Sequence, residues 1–172
     1  MENNQNTEKG TVYFFTGLAG AGKTTLGELF FSRLREKKPN VMILDGDQIR
    51  PVYNEDIGYD NESRLKGAKR TFRVARMIAE QGVDVVVCSI CMYDEVRDWN
   101  RENIDNYNEI YVRVTRDTLI ARNKKKLYTD GKNVMGVDLP FDEPKHPDLI
   151  IDNDGKESPE EITARLVDFF KI

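Results

Sequence analysis

Eight consecutive residues carry the first chemical signal. Gly17-Leu18-Ala19-Gly20-Ala21-Gly22-Lys23-Thr24 fits the spacing G-x-x-x-x-G-K-[ST], directly after a β-rich run and at the opening of a helical pattern. Glycines let backbone N–H groups curl around phosphate oxygens, and the helix N-terminus adds roughly half a positive charge to that cradle. Lys23 is then placed to reach the β- and γ-phosphates, and the Thr24 hydroxyl to ligate Mg²⁺. Gly17, Ala19, Gly20, Ala21, Gly22, Lys23, Thr24 and Thr25 are the candidate contacts of a nucleoside triphosphate.

A second cluster follows in Leu44-Asp45-Gly46-Asp47-Gln48-Ile49-Arg50. Two carboxylates and a guanidinium at a strand end project into the crevice where open α/β sheets bind ligands. Beside a triphosphate, a carboxylate there can orient or deprotonate an attacking hydroxyl and help to hold the metal. An arginine can clamp an anionic acceptor through two parallel hydrogen bonds. The alternative is an acidic turn that caps a strand. The glycine loop alone leaves kinase, GTPase switch and motor open. Asn123-Lys124-Lys125-Lys126 lacks the aspartate of a guanine-reading NKxD turn, Asp152 to Gly155 is a D-x-x-G too late in the chain, and 172 residues leave no room for a motor's accessory domains. The expectation is a kinase.

These groups need a frame, and the apolar patterning supplies one. Strands are expected at Thr11–Thr16, Val41–Asp45, Val83–Cys88, Glu109–Val114 and Leu149–Asp152. A helix from Gly22 to Lys37 places Leu26, Leu29, Phe30 and Leu34 on one face, and another over Glu62–Gln81 does the same with Leu65, Ala68, Phe72, Ala75 and Ile78. Further helices are expected over Asp94–Asn103 and Arg116–Leu127, and a last one opens on Ser158-Pro159-Glu160-Glu161, a capping box with Pro at the first helical position. The stretch after Asp45, to about Asn61, reads as a loop. The stretch from about 128 to 147 is too long for an ordinary connection and reads as a substrate lid. Alternating strands and helices imply an α/β, three-layer P-loop NTPase fold with a five-stranded parallel sheet and helices on both faces. Residues 1–10 are expected to be a flexible N-terminus, and residues 11–172 a single domain.

Composition bounds the partners. With 26 Lys+Arg against 30 Asp+Glu the formal net charge is −4, so no basic field invites nucleic acid and an anionic ligand must be held locally. The apolar runs fall far short of a membrane span, and Met1–Gly10 lacks the apolar core of a signal peptide, which points to the cytoplasm. Cys88 and Cys91 have C-x-x-C spacing, but there is no second thiol pair and His146 is the only histidine. The pair therefore reads as one buried thiol and one at a strand end rather than a redox or zinc site. The basic run Arg64, Lys66, Lys69, Arg70, Arg73 and Arg76 reads as the solvated face of its helix, with only Arg64 near ligand. Trp99 and the phenylalanines of the last helix read as core.

Gly17–Thr25 together with Leu44–Arg50 resembles the adenylylsulfate (APS) kinase family, which transfers the γ-phosphate of ATP to the ribose 3′-hydroxyl of APS. The resemblance continues through Asp56-Ile57-Gly58-Tyr59, Arg64, Arg70, Ala79–Gly82, Ala121-Arg122, Leu127-Tyr128, Gly136-Val137-Asp138 and Asp142-Glu143-Pro144, covering most of the chain from Thr11 to Asp152. It implies that Lys23, Asp47 and Asp45 are catalytic and that Thr24 and Asp45 hold Mg²⁺. Arg122 would lie against the ATP adenine. Arg50 and Arg64 would bind the acceptor's anionic groups, Tyr59 would stack on its base, and Ser89 and Lys125 would complete the acceptor side. It also implies a small nucleotide acceptor and pairing as a homodimer.

The departures bear on the acceptor. Where the family carries D-R-x-x-N the chain reads Ser63-Arg64-Leu65-Lys66-Gly67, and the N-F-T-G of the lid is Asn133-Val134-Met135-Gly136. One aromatic face and one polar contact to APS are missing, and a base–aromatic stack is worth about 1–3 kcal/mol. APS is the leading acceptor. The alternatives are cytidine diphosphoramidate, which relatives in bacterial capsule synthesis phosphorylate, another small metabolite, or a non-catalytic ATP-binding role.

Overall fold

The structure, a computed structural model, describes residues 8–53, 58–122, 128, 132 and 134–172. Five strands, β1 (Val12–Thr16), β2 (Val41–Asp45), β3 (Asp84–Cys88), β4 (Tyr107–Arg113) and β5 (Leu149–Asp152), form one sheet in the order β2-β3-β1-β4-β5. Every pairing is parallel, so consecutive strands need crossovers. Helices α1 (Lys23–Lys37), α3 (Asn61–Ala79), α4 (Asp94–Asn103) and α5 (Arg116–Arg122) lie in those crossovers, and α6 (Pro159–Phe170) follows β5. A short α2 (Gly46–Ile49) and a 3₁₀ turn (Arg50–Tyr53) come between β2 and α3.

Strand periodicity sends alternate residues to opposite faces. Val12, Phe14, Val85 and Val87 pack with Phe72 and Ala75 of α3 and Val96 of α4. Tyr13, Phe15, Val86 and Ile110 pack with Leu26, Phe30 and Leu34 of α1 and Ile162 and Leu166 of α6. Both faces are covered, which is why β1 and β3 read as unbroken apolar runs. Edge-to-face ring pairs join the layers, Phe14 with Phe72 at 4.7 Å and Tyr13 with Phe30 at 5.0 Å between centroids.

Gly27 explains how closely α1 lies on the sheet. A Cβ there would meet the Cys88 Sγ at 2.1 Å, so only glycine admits this approach. The Cys88 thiol in turn donates to the Lys23 carbonyl oxygen at 3.6 Å. The start of α1 is thereby set against the carboxyl end of β3.

Several boundaries depart from expectation for local reasons. The stretch read as a loop after Asp45 holds α2 because the Asp45 carboxylate accepts the Asp47 N–H at 2.9 Å, an N-cap that a hydrophobic pattern cannot reveal in four residues. The α3 helix starts on Asp60, whose carboxylate accepts the Ser63 N–H at 2.9 Å. The capping box of α6 is present in full. The helix expected to reach Leu127 is described as far as Arg122, and residues 123–127 lie outside the described residues. Among the aromatics expected in the core, Trp99 and Phe170 are partly buried against it, but Phe169 is 51% exposed, on the outer side of the last turn of α6. Cys88 and Cys91 are both buried and unbridged, and burial pushes each thiol up to about 12, which removes nucleophilic or redox use.

A buried ionic knot fixes the return from the segment read as the lid. Arg97 and Glu109, 3% and 2% exposed, face each other at 3.6 Å. Arg97 Nη2 also donates to the Asp94 carboxylate at 2.6 Å and to the Asp142 carbonyl at 2.9 Å. Arg101 joins Glu109 at 3.3 Å and Asp148 at 3.1 Å. Burial raises the Glu109 pKa, opposed by the two arginines.

Candidate active site

The carboxyl ends of the strands converge on one crevice, and the glycine loop leaves the central strand there. Gly17, Gly20 and Gly22 all have positive φ, at 145°, 79° and 99°. A Cβ on Gly17 would meet the Val112 carbonyl oxygen at 2.3 Å, so the loop can begin only on glycine. It ends on Gly22, the N-cap of α1, which leaves the first N–H groups of a fifteen-residue helix directed into the crevice. Lys23 is buried and its Nζ donates to the Leu18 carbonyl at 2.9 Å across the loop. Burial lowers its pKa to about 8, against the opposing pull of Cys88, Asp45 and Asp47.

A chain of hydrogen bonds links this loop to the acidic cluster. The Thr24 hydroxyl donates to Asp45 Oδ2 at 2.7 Å, and Asp45 Oδ1 accepts the Asp47 N–H at 2.9 Å. Asp45 is buried while Asp47 is exposed at the mouth. Thr24 and Asp45 thus present two hard oxygen donors side by side, the kind Mg²⁺ takes alongside phosphate oxygens.

Beyond Asp47 opens a cleft. Asp47, Arg50, Arg64 and Ser89 line it, as do Tyr53, Gly67, Ala68, Thr71, Ile90, Cys91, Tyr93 and Met135. Tyr59 is not in the lining. It stands outside, 60% exposed, with the Arg50 and Arg64 guanidinium carbons 4.6 and 5.6 Å from its ring centroid. Arg50 donates to the Gly58 carbonyl at 2.6 Å and Arg64 to the Tyr59 carbonyl at 2.8 Å. Arg50 Nε is buried with no partner among the described residues. Burial first, then repulsion from Arg50, pulls the Arg64 pKa down. Two crowded cations with a buried N–H to satisfy are groups that an anion could serve.

Most of the sequence-predicted residues therefore gather at one crevice; Tyr59 stands just outside it, and Lys125 lies outside the described residues. Arg122 reaches it through Asn153: its Nη2 donates to the Asn153 carbonyl at 2.6 Å, and Asn153 Nδ2 donates to the Ala21 carbonyl at 2.8 Å. Sequence reading missed Asn153, whose one signal was its place just after β5. It also missed Tyr128, whose hydroxyl donates to the Ala19 carbonyl at 2.5 Å.

A sequence model of adenylylsulphate kinase matches residues 9–152. The chain belongs to the adenylylsulphate kinase family. Among curated relatives of this family member, the cytidine diphosphoramidate kinase of Campylobacter jejuni is 38% identical over 161 residues, covering 91% of this chain and 94% of that protein. The adenylyl-sulfate kinase of Bacillus velezensis is 37% identical over 174 residues, covering 97% and 88%. Among solved structures, the APS kinase of Mycobacterium tuberculosis in complex with AMPPNP and APS superposes with a TM-score of 0.85 at 27% identity, covering 95% of this chain and 99% of that one. The fold and the phosphotransferase class follow from these matches. Among the described residues no helix is long and apolar enough to cross a membrane.

Proposed function

We propose that this chain transfers the γ-phosphate of ATP to the ribose 3′-hydroxyl of a nucleotide conjugate. The observation that carries the reading is the continuous link Thr24–Asp45–Asp47, 2.7 and 2.9 Å, which ties the phosphate loop to the acceptor cleft. The α1 N-terminus and Lys23 grip the β- and γ-phosphates, and Arg122 lies against the adenine. Thr24 and Asp45 hold Mg²⁺, which when bound draws charge from the phosphate oxygens. Asp47 orients the hydroxyl, Arg50 and Arg64 clamp the acceptor's anionic linkage, Tyr59 receives its base, and Ser89 lines the site beside Asp47. Residues 128–147 act as the lid, with Lys125 just before it. Catalysis is positioning plus charge stabilisation. We infer a cytoplasmic activity, where ATP is supplied, and self-pairing is expected from the family.

Adenylyl sulfate is the acceptor most of the curated family members point to. A second reading, cytidine diphosphoramidate, is favoured by Met135 and Gly67 in the cleft wall, where a smaller base needs less of a sandwich. An acceptor screen with labelled ATP, with ³¹P NMR locating the new phosphate, tests both. Asp47→Ala and Lys23→Ala should each cut turnover at least about a hundredfold with the fold intact. Near-normal turnover by Asp47→Ala would remove its acceptor role.

A further inference from the structure

The cleft has a stretch of wall whose hydroxyl pair the reactions above leave unused. Tyr53 and Thr71 line it with Gly67 and Ala68. Thr71 Oγ1 donates to the Gly67 carbonyl at 3.0 Å, and the Tyr53 hydroxyl is paired with Thr71 Oγ1 at 3.1 Å. A carbonyl only accepts, so the single Thr71 proton is committed to Gly67 and Tyr53 must give its own proton to Thr71. The Tyr53 oxygen then turns lone pairs, not a proton, towards the cleft. The Arg70 guanidinium, 6.0 Å from the Tyr53 ring centroid, helps to hold the ring.

The arrangement fixes an order along the acceptor. Tyr59 stands outside the cleft, Arg50 and Arg64 lie both against its ring and in the cleft wall, and Tyr53 lies in the wall without Tyr59. A base on Tyr59 with a ribose hydroxyl at Asp47 brings the phosphate linkage to the arginines. In that placement the wall that holds Tyr53 is left for what the linkage carries beyond them.

We propose that Tyr53, oriented by Thr71, reads the terminal group of the acceptor conjugate and favours a tail that offers an N–H, as a phosphoramidate does, over a sulfate. A sulfate's outer oxygens only accept, so to meet one Tyr53 must withdraw its proton from Thr71 and break the relay. That exchange amounts to about one hydrogen bond, or about tenfold in kcat/KM. The proposal rests on the nucleotide-conjugate reading above and weights it towards the amide-bearing acceptor.

The test uses four conjugates: adenylyl sulfate, adenosine 5′-diphosphoramidate and their two cytidine counterparts. The unaltered protein should favour the amide over the sulfate about tenfold in kcat/KM with either nucleoside. In Tyr53→Phe the amide should lose about tenfold and the sulfate less than twofold, erasing the preference. Thr71→Val, which frees the Tyr53 proton, should raise the sulfate relative to the amide. A preference unchanged in Tyr53→Phe, an equal loss for both tails, or a ratio that follows the nucleoside instead of the tail overturns the proposal alone. No turnover of any of the four by the unaltered protein removes the parent reading and this one with it.

Discussion

Lys23 is the residue whose state governs the site. An ammonium in a crevice without triphosphate is poorly solvated, and its pKa of about 8 records that. Below that pH the group is charged and above it neutral, and a triphosphate stabilises the charged form, so nucleotide binding must raise the pKa. ATP binding at about pH 8.5 should therefore take up a proton, and affinity should fall with rising pH at a slope approaching tenfold per unit. Calorimetry in two buffers of different ionisation enthalpy measures the uptake. Lys23→Arg, charged at every working pH, should abolish it, and an equal enthalpy in both buffers for the unaltered protein would show that Lys23 does not meet the phosphates. The glycines, Lys23 and Thr24 were readable in the sequence because each is required by type at fixed spacing, and Asp45 because it closes a strand beside them. Tyr53 and Thr71 were not, since neither belongs to a motif and their meeting depends on how a 3₁₀ turn lies against α3.

At the scale of elements, the knot around Arg97 is the feature most exposed to damage. Arg97→Met leaves Glu109 buried with one arginine fewer, and breaking a buried pair from one side costs about 3–5 kcal/mol. Urea unfolding near neutral pH should show that loss. Burial already raises the Glu109 pKa above its unfolded value. The variant's deficit should therefore shrink as pH falls and Glu109 takes up a proton. A deficit that does not change with pH would mean that packing, not charge, is what Arg97 supplies. The strands and the apolar helix faces were legible from periodicity alone, including Phe72 and Ala75. The knot was not, because Asp94, Arg97, Glu109, Asp142 and Asp148 come together across four segments, and spacing along one segment says nothing about that. The cap by Asp45 escaped for a related reason: it is a local hydrogen bond in a segment too short for a pattern.

For the whole molecule, ligand binding and folding are coupled because loop, cleft and sheet edge are one assembly. ATP with Mg²⁺ at a hundredfold excess over its Kd should stabilise the fold by about 2.7 kcal/mol, a rise in melting temperature of roughly 5–10 °C for a chain of this size. Thermal scans with and without nucleotide check this, and an unmoved midpoint would argue against a preformed cradle. A net charge of −4 makes the binding of two anionic substrates a matter of local groups, which the inward-facing Lys23, Arg50 and Arg64 provide. The contact between α1 and β3 also has a consequence in time. Because the Cys88 sulfur is sealed beneath Gly27 and rests on the backbone of Lys23, a thiol reagent can reach it only when the helix lifts from the sheet. The molecule thus carries its own clock, one that ticks whenever its nucleotide-gripping half breathes and that an occupied cradle would slow.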